Sequence, residues 1–240
     1  MCWYSTARLP RLSLPTIAPE PEIPLYTGDI EADMREMTGS KAFEHGGKLS
    51  LPSKMDVPAW AIPASTCKTG SKLAEVSGSV CEGCYAKKGT MRFKNVQHAF
   101  AENYRKLFDP LWTPAMASLI RWNAKDRFRW MLSGDLQSVD HLKNIIQIAM
   151  ATRNVLHWLP TREQAMVKHC RELIPGNLTV RISGTMVNGD PPSWWPQTST
   201  VVSNEEDATC PSSIHGGNCG EHDCDACWDP DVGNVKYLKH

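Results

Sequence analysis

Hydrophobic and polar positions between residues 96 and 203 repeat with two alternating periods. Spacings of three and four residues, as for Phe100, Tyr104 and Leu107, predict helices, whereas short apolar runs predict strands. The predicted helices cover residues 96–108, 114–124, 138–149 and 163–173, with Ser138 capping the third. The predicted strands cover residues 59–63, 128–133, 155–159, 178–182 and 200–203.

Strands that alternate with helices at this spacing are typical of parallel βα units. The predicted fold class is therefore α/β, either a partial (β/α) barrel or an open parallel sheet with cysteine-rich loops. Four or five strands are too few for a closed eight-fold barrel. We expect a proline-rich arm and entry segment at 1–48, the core at 49–203, and an acidic, cysteine-rich segment packed on it at 204–240.

Composition excludes several classes of protein. The 240 residues are 41% hydrophobic, which argues against a fully disordered chain. The 26 basic and 26 acidic residues balance, so binding of nucleic acid by bulk charge is not expected. No segment has the length and hydropathy of a membrane span, and residues 1–5 do not resemble a secretory signal. These features predict a soluble protein in the host cytoplasm, with no membrane partner.

Charge is distributed unevenly along the chain. Residues 204–231 contain eight acidic residues and no Lys or Arg, whereas residues 87–106 contain six basic residues and one acidic residue. Such a basic run is a solvated face or a patch for an anion or a nucleic acid. The patch residues nearest the first cysteine group are Lys87, Lys88 and Arg92.

Seven of the nine cysteines form two groups. The first group is Cys67, Cys81 and Cys84, and the second group is Cys210, Cys219, Cys224 and Cys227. Each group contains a Cys-x-x-Cys pair, which aims two thiolates at one point. Because cysteines in a reducing compartment are more often metal ligands than disulfides, this pattern predicts metal binding. Of the other two, Cys170 has the helical spacing of a core residue and Cys2 lies in the arm.

Spacing alone leaves the metal open. Four thiolates in the second group suit either tetrahedral zinc or an iron–sulfur cluster. The first group has three thiols, so its fourth position must come from the second group, from a histidine such as His45 or His98, or from a small ligand. His222 lies between Cys219 and Cys224 and is a further candidate ligand. Either group could also be a purely structural staple.

Polar residues follow the predicted strands, where parallel strands converge on one ligand-binding mouth. The candidate mouth residues are Asp135, Arg162 and Thr185. Trp194 and Trp195 could stack on a base or a cofactor, or pack a loop onto the core. The sequence contains neither a Gly-x-Ser-x-Gly motif nor a phosphate-binding loop.

Two resemblances follow from these motifs. The segments 58–63, 81–89, 210–211, 217–219, 224–229 and 235–240, together with Cys67, resemble the phage gene product 88 domain family. More distantly, Cys67, Cys81 and Cys84 after a predicted strand, with Asp135 after the next, are similar to radical SAM proteins. That resemblance implies a [4Fe–4S] cluster that binds S-adenosylmethionine. The chain departs from it in its longer first spacing and in having Asp rather than Glu at the turn.

The leading hypothesis is a phage iron–sulfur protein with one or two [4Fe–4S] clusters in a radical-SAM-like partial barrel. The resemblance implies redox or radical chemistry on a small ligand, as in an oxidoreductase, with zinc as the alternative at the second group. The competing hypothesis is a non-catalytic module, stapled by zinc or a cluster, that binds nucleic acid or a host protein.

Overall fold

The computed structural model describes residues 21–239. The part of the predicted arm at residues 1–20, including Cys2, lies outside the described residues. Within residues 21–239, five strands form one parallel sheet in the order β1 to β5. The strands are β1 (Arg127–Arg129), β2 (Leu156–Thr161), β3 (Leu178–Val187), β4 (Thr198–Val202) and β5 (Asn234–Leu238). The sheet curves into a half-barrel, which confirms the predicted α/β partial barrel.

Eight α-helices accompany the sheet in the same range. They are α1 (Ile30–Glu36), α2 (Gly39–Gly46), α3 (Lys68–Leu73), α4 (Lys94–Lys106), α5 (Trp112–Asn123), α6 (Val139–Ala151), α7 (Gln164–Cys170) and α8 (Pro211–His215). The Ser138 hydroxyl accepts the amide of His141 and caps α6, as predicted. None of the helices in residues 21–239 is both long and apolar enough to cross a membrane.

The predicted strand at 59–63 runs beside β1 without forming a regular strand. Trp60 donates its amide to the Arg129 carbonyl at 3.0 Å, and Leu132 donates to the Trp60 carbonyl at 3.0 Å. The ladder is irregular because the chain bends after β1, where Met131 has a φ of 48°. For the same reason β1 ends at Arg129 instead of Ser133. Residues 58–62 therefore extend the half-barrel beside β1 as an irregular sixth strand.

Buried aromatic residues fill the space between the sheet and α5. The Trp60 and Trp112 rings lie 5.4 Å apart, and the Trp60 and Trp130 rings 6.2 Å apart. Helix α5 is buried along most of its length, since α1, α2 and α6 pack around it. Cys170 is fully buried in this core, as its helical spacing predicts. The core fixes the outer face of the sheet and leaves its inner face for the site.

Candidate metal and ligand cavity

The inner face of the half-barrel and both cysteine groups border one cavity of about 510 Å³. The sheet contributes Trp158, Pro160, Ser183, Ser199 and Tyr237, followed by Arg162 at the end of β2. The cysteines that line the cavity are Cys67, Cys81, Cys84, Cys210, Cys219 and Cys227. A cavity of this size is in the range of small-molecule sites. Two motifs more than a hundred residues apart therefore face the same space.

Cys67 and Cys81 meet at Gly70 in helix α3. A Cβ atom built on Gly70 would lie 3.7 Å from the Cys67 Sγ and 3.6 Å from the Cys81 Sγ. The absence of a side chain at position 70 thus leaves both thiols open to the same space. Cys84 is half-buried and lines the same cavity.

The loop that carries Cys81 is held against the end of β3. Val80 donates its amide to the Thr185 carbonyl at 3.0 Å, and Val187 donates to the Gly78 carbonyl at 3.0 Å. The Ser79 hydroxyl accepts the amides of Cys81 and Glu82 and so shapes the turn. Thr185 does not line the cavity, but its carbonyl anchors the first cysteine group.

A chain of hydrogen bonds joins the ends of β1 and β2 to helix α3. The Thr161 hydroxyl donates to Asp135 Oδ1 at 2.6 Å and accepts the amide of Glu163 at 3.0 Å. Glu163 in turn accepts the amide of Thr69 at 2.9 Å and its hydroxyl at 3.0 Å. The network fixes the position of α3, and therefore of Cys67, relative to the sheet.

Burial controls the protonation of these groups. Burial, followed by the nearby Asp135 and the other thiols, raises the pKa of Cys67 to about 12. Burial also raises the pKa of the Cys81 thiol, while Arg162 and Lys87 lower it. A bound cation removes the thiol proton under such conditions, because the thiolate is stabilised by the metal charge.

The second cysteine group surrounds a smaller space. Cys210, Cys219, Cys224 and Cys227 all line a cavity of about 20 Å³, which is the volume of a single water or ion. Cys227 is buried, its Sγ lies 3.1 Å from the Tyr237 hydroxyl, and burial raises the pKa of its thiol to about 12.

All seven side chains of the two groups are thiols, the donor type that zinc and iron–sulfur clusters prefer. The Asp135 carboxylate also lies near the three thiols of the first group, and the positive charges of Arg162 and Lys87 act on Cys81. Among residues 21–239, His, Cys, Asp and Glu side chains form no group of three or more that could hold a metal ion in this arrangement. The seven thiols share two cavities instead.

The histidines considered as ligands lie elsewhere. His45 Nδ1 contacts Asp109 Oδ2 at 2.9 Å, and His98 is exposed on α4. His222 Nε2 lies 2.7 Å from the Gly216 carbonyl. None of the three lines either described cavity, whereas three cysteines of the second group share the large cavity with the first.

Lys87, Lys88 and Arg92 are exposed in the two 3₁₀ turns that follow Cys84. Lys87 also lines the large cavity. The paired tryptophans pack on the core: Trp195 is buried and donates to the Val180 carbonyl at 2.7 Å, and Trp194 donates to Gln164 at 3.1 Å. The tryptophans therefore stabilise a loop, while the three cations remain on the surface.

Sequence reasoning missed several residues that build the cavity. Trp158, Pro160 and Arg162 occupy every second position along β2 and just beyond its end, and all three line the cavity. Arg129, Glu163 and Tyr237 were also missed. The two-residue period of a strand would have pointed to Trp158 and Pro160, because Arg162 was already a candidate.

Gly134 closes the turn that positions Asp135, and we expect that an alanine there is not tolerated. Gly134 has a φ of 81°, and an added Cβ would lie 2.2 Å from Ile62 Cγ1. Gly134→Ala should lower the free energy of unfolding by about 2 kcal/mol or more, measured by urea denaturation. Gly176→Ala is the control, since its Cβ would meet no atom within 4 Å. Equal stability of the two variants would show that the turn relaxes freely.

Comparison with known proteins gives one match. The family model described as gene product 88 matches residues 31–230. No curated protein matches the chain, and no solved structure matches it. The likeness to radical SAM partial barrels stays a prediction.

Proposed function

The chain belongs to the gene product 88 family, a family of phage proteins, and from the cavity described above we propose that it binds an iron–sulfur cluster. The observation that carries this proposal is the meeting of Cys67, Cys81 and Cys84 at one cavity. Three thiols from a loop, facing a space large enough for a small molecule, are the ligand set of a cluster with one open iron position. The proposal includes closure of the thiols around the metal.

The residues around the first group have defined tasks in this proposal. Asp135 ties the turn after β1 to the end of β2, and Glu163 fixes helix α3 behind Cys67. Arg162 and Lys87 supply positive charge beside the thiols, which lowers the energy of a cluster with negative net charge. Cys67, Cys81 and Cys84 would hold the cluster, which, once reduced by an external electron donor, would supply single electrons for redox or radical chemistry on a small ligand.

The second group is proposed to hold its own metal. Four thiols around a space of about 20 Å³ suit a single zinc ion, whereas a second cluster matches the four thiols as ligands but needs more space than this. All four cysteines lie between β4 and β5, so a metal at this position would hold that segment together and close one side of the large cavity. Its role in the proposal is structural.

Iron analysis of anaerobically purified protein tests the proposal directly. We expect iron and sulfide in equal amounts, and we expect Cys81→Ser to remove at least about half of both. Cys224→Ser should remove the metal of the second group, which identifies that metal as zinc or iron. Cys170→Ser is the matched control, because Cys170 is buried away from both groups. Iron content that is unchanged in Cys81→Ser would rule out a cluster at the first group.

Cofactor use is a separate question. Incubation of the reduced protein with S-adenosylmethionine tests for radical chemistry, because reductive cleavage of this compound releases 5′-deoxyadenosine. Formation of that product only when Cys81 is intact would support an enzyme of this class. No product above background would limit the proposed function to cluster binding.

The exposed cations favour one alternative function. Lys87, Lys88 and Arg92 form a surface patch that could contact nucleic acid or a host protein in a metal-stapled, non-catalytic module. A colourless zinc protein that binds DNA or RNA, with affinity falling as salt rises, would favour this alternative over the cluster.

A further inference from the structure

The charge of the large cavity is strongly one-sided. Among the described residues that line it, the cations are Lys54, Lys87, Arg129 and Arg162, and the only carboxylate is that of Asp135. Asp135 accepts hydrogen bonds from the Thr161 hydroxyl and from the amides of Leu136 and Arg162. Among the described residues it forms no salt bridge with either arginine.

Arg162 has no protein partner for its charge. Its Nε is buried and has no hydrogen-bond partner among the described residues. In that part of the chain, no carboxylate forms a salt bridge with its guanidinium. Its backbone amide is fixed on Asp135 at 2.9 Å, which holds the residue at the cavity wall. A half-buried guanidinium without an acceptor is costly unless a ligand supplies one.

Arg129 is also held in place without a carboxylate. Its Cζ lies 4.5 Å from the centre of the Trp158 ring, and its Nη2 donates to the Tyr85 hydroxyl at 3.2 Å. Its Nε is buried without a partner among residues 21–239. Tyr85 is fixed in turn, since it donates to the Leu132 carbonyl at 2.6 Å. The guanidinium is thus oriented before any ligand arrives.

The rest of the wall suits an organic molecule. Trp158, Pro160 and Met131 form an apolar surface, and Ser183 and Ser199 present adjacent hydroxyls 3.1 Å apart. A volume of about 510 Å³ accommodates a molecule of nucleotide size. An anionic group is recognised by the arginines, while a planar or apolar body packs on the wall.

We propose that this cavity binds an anionic small molecule of nucleotide size, whose carboxylate or phosphate group pairs with Arg162 and Arg129. The inference rests on the proposed function, since this anion would be the small ligand of the cluster site. The class of that ligand follows from the two guanidinium groups, neither of which forms a salt bridge with a carboxylate among the described residues.

Calorimetric titration of anaerobically purified protein tests the anion site. The probes are phenyl phosphate, benzoate and the neutral benzyl alcohol, which share one ring and differ in charge. We expect at least one anion to bind, and Arg162→Gln and Arg129→Gln each to weaken its binding about tenfold. Arg105→Gln is the control, because Arg105 is exposed on α4 and pairs with Glu102 there. The tighter anion identifies the ligand as a phosphate or a carboxylate.

Three outcomes would overturn the anion site. The first is binding of benzyl alcohol as tight as that of the anions, the second is unchanged anion binding in both arginine variants, and the third is no binding of either anion. Iron content is measured on the same samples, so the two proposals can fail separately. Protein without iron that still binds phenyl phosphate through Arg162 would keep the anion site and remove the cluster. Protein that contains iron but binds neither anion would keep the cluster and remove the anion site.

Discussion

Arg181→Met is expected to lower the free energy of unfolding by about 3–5 kcal/mol and to release the second cysteine group. Arg181 is fully buried at the base of β3. Its guanidinium donates to six backbone carbonyls, those of Ala226, Cys227, Asp229, Val232, Gly233 and Thr198. Methionine replaces the stem but none of the donors, and removing one partner of a buried charged network costs about 3–5 kcal/mol.

The metal content distinguishes a local effect from a global one. Because three of the six carbonyls belong to the loop of Cys224 and Cys227, Arg181→Met should lose the metal proposed for the second group before the one proposed for the first. Arg181→Lys keeps the charge but offers only three donors, so partial loss is expected. Arg105→Met, at an exposed ion pair, should change stability by less than about 1 kcal/mol. A similarly small effect of Arg181→Met on urea denaturation would contradict this account.

The fold could be predicted from sequence wherever the hydrophobic period was regular. Helices α5 and α6 and strands β2 to β4 agree with their periodicity, and Ser138 was identified as a cap from its chemistry. Strand β5 was missed because its five residues follow a cysteine-rich loop and include polar Asn234 and Lys236. Helices α1 and α2 were missed because their burial depends on α5, a tertiary contact that no local pattern encodes.

Prediction of the site was limited by contacts distant in sequence. The candidates Asp135 and Arg162 were found from their place after strands, and the structure puts both on the cavity wall. The role of Arg181 could not be predicted from the sequence, because its partners lie about fifty residues away in a loop without secondary structure. Nor did the spacing of either cysteine group show that both border one cavity. The two cysteine groups come together because β5 pairs with β4 at the edge of the sheet and places the second group beside the first.

Two buried histidines should make the protein acid-sensitive. The Trp130 indole donates to His157 Nδ1 at 3.2 Å, and the Thr152 hydroxyl, which donates to the Ile148 carbonyl, accepts from His157 Nε2. The neutral ring therefore has both nitrogens satisfied, and a proton on Nδ1 would oppose the indole N–H. His141 packs edge-on against Trp60 and Trp112. Burial lowers the pKa of each of these histidines from 6.5 to about 3.

The direction of the pH dependence follows from the number of protons that the folded and the unfolded protein bind. Below pH 6.5 the unfolded chain protonates both histidines and the folded protein protonates neither, so stability falls as the pH falls. Asp135 acts in the opposite direction, because burial raises its pKa from 3.8 to about 6 and the folded protein binds that proton first. Between about pH 6 and pH 4 the net difference is one proton, or about 1.4 kcal/mol of stability lost per pH unit.

Variants separate the three contributions to this slope. Urea denaturation at several pH values should give a slope near zero for His157→Gln, and about 2.7 kcal/mol per pH unit for Asp135→Asn, which keeps both histidines and removes the opposing carboxyl. His169→Gln should behave as wild type, since His169 is exposed on α7. Groups common to all variants cancel in these differences. A slope that His157→Gln leaves unchanged would mean that this imidazole is protonated in the folded state, and that its bonds to Trp130 and Thr152 do not hold it neutral.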